Sequence, residues 1–234
     1  MKWIATLIAG LALSLTVATS QANAAVVKIE EDQYGKFIFF VGTVQWGDRW
    51  KLLEAIQLNP EIKRVFFSSP GGVADEGYVL GNIMRLNEMV AIVPRGAYCL
   101  SACAVAFSGG VQFYIGGALG FHNAWTAQHD MPAIQAMIAG QQIGMKSMQY
   151  FMLLGYHVDL PQIISNGTTP SRFFVFKNTE DFLFFYAGRG SSPYELITQR
   201  EYDEDYFKDH LLDQELILDY VVSQRLEDYA NASK

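Results

Sequence analysis

Between residues 37 and 121 the chain alternates short apolar runs with amphipathic helical stretches, and this alternation limits the fold more than any other feature. Residues 64–69, 89–94, 111–115 and 118–121 are rich in Val, Ile, Phe and Ala. The run 89–94 shows no polar alternation, as expected of a strand buried on both faces of a parallel sheet. Residues 49–58 carry Leu52, Leu53 and Ile56 at helical spacing, and Pro60 stops that helix. Residues 74–87 repeat the pattern with Tyr78, Leu80, Gly81, Met84 and Leu86. Such units predict an α/β fold of right-handed crossovers, with a mostly parallel sheet flanked by helices.

The flanks fit around this centre. Residues 26–29 and 37–42 read as strands joined by a polar turn at 30–35, and residues 101–107 as a short buried helix. Residues 131–154 form a long helical stretch rich in Met, Gln and Ala, followed by a late strand at 173–176 and a short helix at 180–186. From Tyr194 onward the chain is acidic, aromatic and helical in pattern, notably over 213–226.

Residues 1–24 have the pattern of a secretory signal. Lys2 is their one charge, residues 4–17 are an apolar core, and Ala22-Asn23-Ala24 matches a small-x-small cleavage site. An uncleaved membrane anchor is the alternative reading, but the apolar run falls short of the roughly 20 residues a span requires. Cleavage after Ala24 would send the mature chain to the periplasm or outside the cell. The expected organisation is a signal at 1–24, an α/β domain at 25–190 and a helical, acidic tail at 191–234.

A chain of 234 residues with 50% hydrophobic content suits one well-packed domain. Removing Lys2 from 17 basic residues set against 24 acidic ones moves the formal net charge from −7 to −8. An acidic chain without basic runs is a poor nucleic-acid binder.

Three strand ends carry the chemistry. Ser69-Pro70-Gly71-Gly72 follows one apolar run and opens a helix; its glycines allow close backbone approach, and a helix start offers free N–H groups. Both properties suit an oxyanion hole, although Pro-Gly-Gly alone is commonly a plain turn. Ser101 stands in Gly96-Ala97-Tyr98-Cys99-Leu100-Ser101-Ala102-Cys103, at a small-residue helix start. There a serine is either an N-cap or a nucleophile whose second oxyanion donor is the Ala102 N–H. The segment is not a G-x-S-x-G elbow, because the two glycines that flank the serine in that motif are absent. His122 ends the run Leu119-Gly120-Phe121 and would be the base for Ser101. His129, His157 and His210 read as structural or surface residues.

Cys99 and Cys103 bracket Ser101. An oxidising compartment permits their pairing. Four residues apart on one helix the fit is tight, and it eases if Cys99 precedes the helix. Two small buried hydrophobic residues are the equal alternative. No zinc site follows, because neither cysteine has a His or acidic companion nearby.

Taken together, Ser69-Pro70-Gly71-Gly72, Ser101-Ala102 and Phe121-His122 resemble the ClpP/crotonase superfamily, and among its members the periplasmic ClpP-like serine peptidase branch. The similarity runs from Phe37 to Gly188. The resemblance implies a fold of repeated ββα units, Ser101 as nucleophile and His122 as general base. It also implies an oxyanion hole from the Gly72 and Ala102 N–H groups, and an extended substrate lying as a strand beside Gly71. That family has an Asp just before the late strand. The same register here falls at Pro170-Ser171 without a carboxylate, so Ser171, a displaced Asp159 or no third residue completes the site.

The resemblance implies an exported, ATP-independent serine endopeptidase acting on peptides or proteins as a homo-oligomer. It implies no ATPase partner and no metal or organic cofactor. The alternative is a catalytically weakened fold that binds proteins, which the absent Asp and the aromatic acidic tail favour. A crotonase-type acyl-CoA enzyme is disfavoured, since an exported chain rarely meets acyl-CoA and no basic cluster offers a diphosphate site.

Overall fold

The computed structural model describes residues 24–123, 131–186 and 210–232. The expected signal at 1–24 falls almost wholly outside them, as do His129 and the segment 187–209. Among the described residues no helix is long and apolar enough to cross a membrane.

The fold is mixed α/β, with two mixed sheets flanked by helices. The first sheet has the order β1 (Val26–Asp32), β2 (Gly35–Val41), β3 (Arg64–Ser68), β4 (Val90–Val93) and β6 (Gln112–Ile115). β1 and β2 form an antiparallel hairpin, and every later pairing in this sheet is parallel. The hairpin is longer than the sequence pattern suggests. Asp32 accepts the Tyr34 N–H at 2.8 Å, so the strands run on to a tight turn at Gly35. Charged Lys28, Glu30 and Glu31 on β1 discourage further pairing at this edge.

The second sheet, β5 (Tyr98–Leu100), β7 (Ala118–Phe121), β8 (Arg172–Phe176) and β9 (Leu211–Asp213), is parallel only between β5 and β7. The sheets meet where the end of β3 reaches β5 through a Ser69–Cys99 bridge.

The crossovers are α1 (Asp48–Leu58), α2 (Ala74–Leu86) and α3 (Ala102–Phe107). Leu52 and Ile56 of α1, with Leu80 and Met84 of α2, bury against Ile38, Phe40, Val65 and Phe67. α2 and α3 approach at backbone distance because Gly77 and Gly81 lack side chains. A Cβ on Gly77 would stand 2.5 Å from the Ala102 carbonyl oxygen. A second part of the core is aromatic: Phe107, Phe113, Phe121, Phe176 and Phe182 meet edge to face or stacked at 5.0–6.3 Å.

After β7 come α4 (Ala133–Leu153) and α5 (Asp159–Gly167), then β8 and α6 (Thr179–Leu183). α7 (Gln214–Ala232) closes the chain. Residues 211–213, with no strand pattern in the sequence, pair with β8, and α7 buries Ile217 and Val221 against Leu100, Ala118, Phe173 and Val175. The buried Gln224 holds α7 in place, accepting the Gly96 N–H and donating to the Gly116 carbonyl, each at 3.0 Å.

Candidate active site

The ends of β3, β5 and β7, the start of α3, and β8 bring residues to one point. Ser69 directly follows β3, and its buried hydroxyl accepts the Gly71 N–H at 3.1 Å and shapes the turn. Gly71 has φ +92° and Gly72 φ +145°, values that favour glycine. A Cβ on Gly71 would lie 2.5 Å from Cβ of Ser101 and 3.0 Å from the Ala102 nitrogen. The turn therefore rests directly on the start of α3. Among the described residues, neither the Gly72 N–H nor the Ala102 N–H donates to a protein acceptor. Two free backbone donors thus flank Ser101.

β5 brings Ser101 to this turn. Its backbone has φ +56° and ψ −124°, a conformation that costs a non-glycine residue about 1–3 kcal/mol. The Ser101 N–H donates to the Gly120 carbonyl at 2.8 Å, and the Ser101 carbonyl accepts from Val105 at 3.1 Å. Ser101 stands at the N-cap position of α3, but its side chain makes no cap hydrogen bond, so the hydroxyl is not engaged in capping. Cys99 and Cys103 are joined as a disulfide, with Cα atoms 5.2 Å apart. The bond fits because Cys99 lies in β5, ahead of the helix.

β7 ends in Phe121 and hands His122 across. His122 Nε2 and Ser101 Oγ are 2.6 Å apart, and both side chains are half-buried. Burial pushes the imidazole below its ordinary value of 6.5, and the Thr169 backbone acts the other way but is outweighed. A neutral ring that accepts the Ser101 proton at Nε2 carries its own proton on Nδ1. Nδ1 is buried and meets no partner at hydrogen-bond geometry among the described residues, the Thr169 backbone beside the ring being the polar group that favours its charged form. Phe173 lies against the ring, with centroids 4.5 Å apart and planes tilted by 33°. Asn123, the next residue, donates its N–H to Thr168 Oγ1 at 2.7 Å and its side-chain amide to the Ser165 carbonyl at 3.2 Å, which pins the end of the strand.

Neither candidate third residue contacts His122. Asp159 opens α5 and pairs at 2.7 Å with Nδ1 of His157, a buried histidine. Ser171 Oγ lies 3.4 Å from Thr169 Oγ1 on the surface. The loop from Thr169 to Ser171 does stand beside the imidazole, but it presents backbone there rather than a carboxylate.

Two cavities meet at the pair. An open cleft of about 430 Å³ is lined by Pro70, Gly72, Ser101, His122, Phe173 and Gln214. On the other side, a small pocket of about 30 Å³ runs between α2, α4 and α5, lined by Tyr78, Val105, Ile143 and Phe151 among others. Among the described residues no cluster of His, Cys, Asp and Glu could hold a metal ion.

The sequence placed Ser69 in the glycine turn without giving its hydroxyl a role, and it did not single out Phe173. A polar residue ahead of Pro-Gly at a strand end could have pointed to the first. Nothing in the pattern of Phe173-Phe174-Val175-Phe176 sets the second apart from its neighbours.

No family model matches the chain, and no curated protein is significantly similar to it. Among solved structures, a mutant of the membrane-bound stomatin-specific protease 1510-N is similar at 11% identity and a TM-score of 0.46, over 64% of this chain and 75% of its own.

Proposed function

We propose that the chain is an exported serine peptidase of the ClpP-like kind, working without an ATPase partner through a Ser101–His122 dyad. The observation that carries this reading is the 2.6 Å approach of His122 Nε2 to Ser101 Oγ beside two unused backbone donors.

Each part of the site has a step to perform. A peptide lies extended in the open cleft along Gly71-Gly72 and adds a strand there. The small pocket takes a side chain next to the scissile bond. Its volume holds only one or two water molecules, so it suits a small apolar group. Ser101 Oγ attacks the carbonyl carbon as its proton passes to His122 Nε2. The Gly72 and Ala102 N–H groups receive the oxyanion. Collapse breaks the C–N bond, and the imidazolium returns its proton to the leaving amine. Water then attacks the acyl-serine ester with the same histidine as base, releasing the acid and regenerating Ser101.

His122 is positioned by the Phe173 ring and the Asn123 anchors in place of an aspartate. A dyad of this kind works more slowly than a triad, while the oxyanion hole acts independently of the third residue. The lone Nδ1 also supports a second reading, a protein-binding module on a disabled peptidase fold. In either case a homo-oligomer is expected.

Fluorophosphonate labelling of the purified protein separates the two readings. Labelling at Ser101, lost in Ser101→Ala and His122→Ala, is the expected result. A folded protein that takes no label supports the binding module instead.

A further inference from the structure

The Cys99–Cys103 disulfide closes over the three residues that carry the nucleophile and one oxyanion donor: Leu100, Ser101 and Ala102. We propose that this bond is a positioning element for Ser101, holding its side chain at His122 in a backbone conformation the segment would otherwise leave. The inference rests on Ser101 being the nucleophile.

Three observations carry it. First, Ser101 is one of only two non-glycine residues with positive φ among the described residues, and such strain persists only where the surroundings over-determine it. Second, each end of the bond is anchored in a different rigid element. Cys99 sits in β5, opposite Leu119 and bridged to Ser69, with hydrogen bonds of 2.8 and 3.0 Å on either side of it. Cys103 lies in the first turn of α3, which α2 presses from behind. The bond therefore fixes the distance between strand end and helix start across the strained residue. Third, a cross-link closing so short a loop gives less global stability than one closing a long loop, because loop entropy grows with length. Its effect is local, and what is local here is the site. Both sulfurs are fully buried, so the bond is a permanent clamp out of reach of reductants, and not a switch.

The test compares the rate of fluorophosphonate labelling at Ser101 in the wild type and in the pair Cys99→Ala/Cys103→Ala, at a temperature where circular dichroism shows both folded. Leu52→Ala serves as the control: it loses stability from a buried site on α1, remote from the disulfide. The expected result is labelling slowed at least tenfold in the cysteine pair, about 1.4 kcal/mol in barrier. With a peptide substrate, kcat should fall while KM holds. Leu52→Ala should melt lower and keep its labelling rate. If the alanine pair does not fold, Cys99→Val/Cys103→Ala refills the space and is judged by the same criterion. A fall of less than tenfold, or loss of fold in both pairs, overturns the inference and leaves Ser101 as nucleophile. A wild type that takes no label removes the peptidase reading and this inference together.

Discussion

A β-carbon on Gly71 would stand 2.5 Å from Cβ of Ser101 and 2.5 Å from the Leu100 carbonyl oxygen, so the glycine turn and the nucleophile cannot move independently. Gly71→Ala forces the two segments apart and also strains a φ of +92°. The expected cost is about 1–3 kcal/mol of stability, with a larger effect on function. Labelling of Ser101 should fall more than tenfold in protein that remains folded. Thermal melts and labelling rates measured side by side check this, and labelling near the wild-type rate contradicts the placement of the turn.

The His122 imidazole is held below its ordinary value of 6.5 by burial. Only the neutral ring accepts the Ser101 proton, so the acidic limb of the labelling rate should have its midpoint below pH 6.5. The sign for stability agrees. Below 6.5 the unfolded chain binds a proton at this histidine that the folded chain refuses. Stability is therefore full above the unfolded value and is lost as pH falls toward the folded one. A pH–rate profile with its midpoint above 6.5 contradicts the burial argument.

Asp159 spends its carboxylate on His157, and Ser171 lies on the surface beside Thr169. Asp159→Asn and Ser171→Ala should therefore leave peptide turnover within about twofold of wild type, with Asp159→Asn slightly less stable for the loss of its partner on a buried ring. Steady-state kinetics decides. A tenfold loss of kcat in either variant would make that residue the missing third member.

The centre of the fold was legible because its signals are local. An unbroken apolar run such as 89–94 can hardly be anything but a buried strand, and Leu52 with Ile56 marks the face of α1 without reference to the rest of the chain. The pairing of Ser101 with His122 was legible for another reason: each ends a strand, and strand ends in such sheets collect on one side. Tyr98–Leu100 did not show as a strand separate from the apolar run before it, because three residues carry no periodicity and its partners lie in β7 and at Ser69. Leu211–Asp213 escaped for the same reason, its ladder being supplied by β8. The positive φ of Ser101 could not be read from residue type at all, since serine gives no sign of a backbone geometry normally left to glycine. Likewise Phe173 gains its place against His122 from strand register, which only the folded sheet defines.

That strained serine leads to a prediction in which function and stability part. At φ +56° and ψ −124°, Ser101→Ala retains the backbone strain and removes only the hydroxyl. Ser101→Gly removes both. Relief of strain is worth about 1–3 kcal/mol, whereas the extra freedom of glycine in the unfolded chain costs about 0.5–1 kcal/mol. The first effect outweighs the second, so Ser101→Gly should be the more stable of the two inactive variants by about 1 kcal/mol. A residue whose replacement by glycine stabilises the fold and abolishes its chemistry is held in place for that chemistry. Urea unfolding of the two variants measures the difference directly, and an alanine variant as stable as the glycine one would limit the strain at Ser101 to the glycine cost of about 0.5–1 kcal/mol, below the range expected.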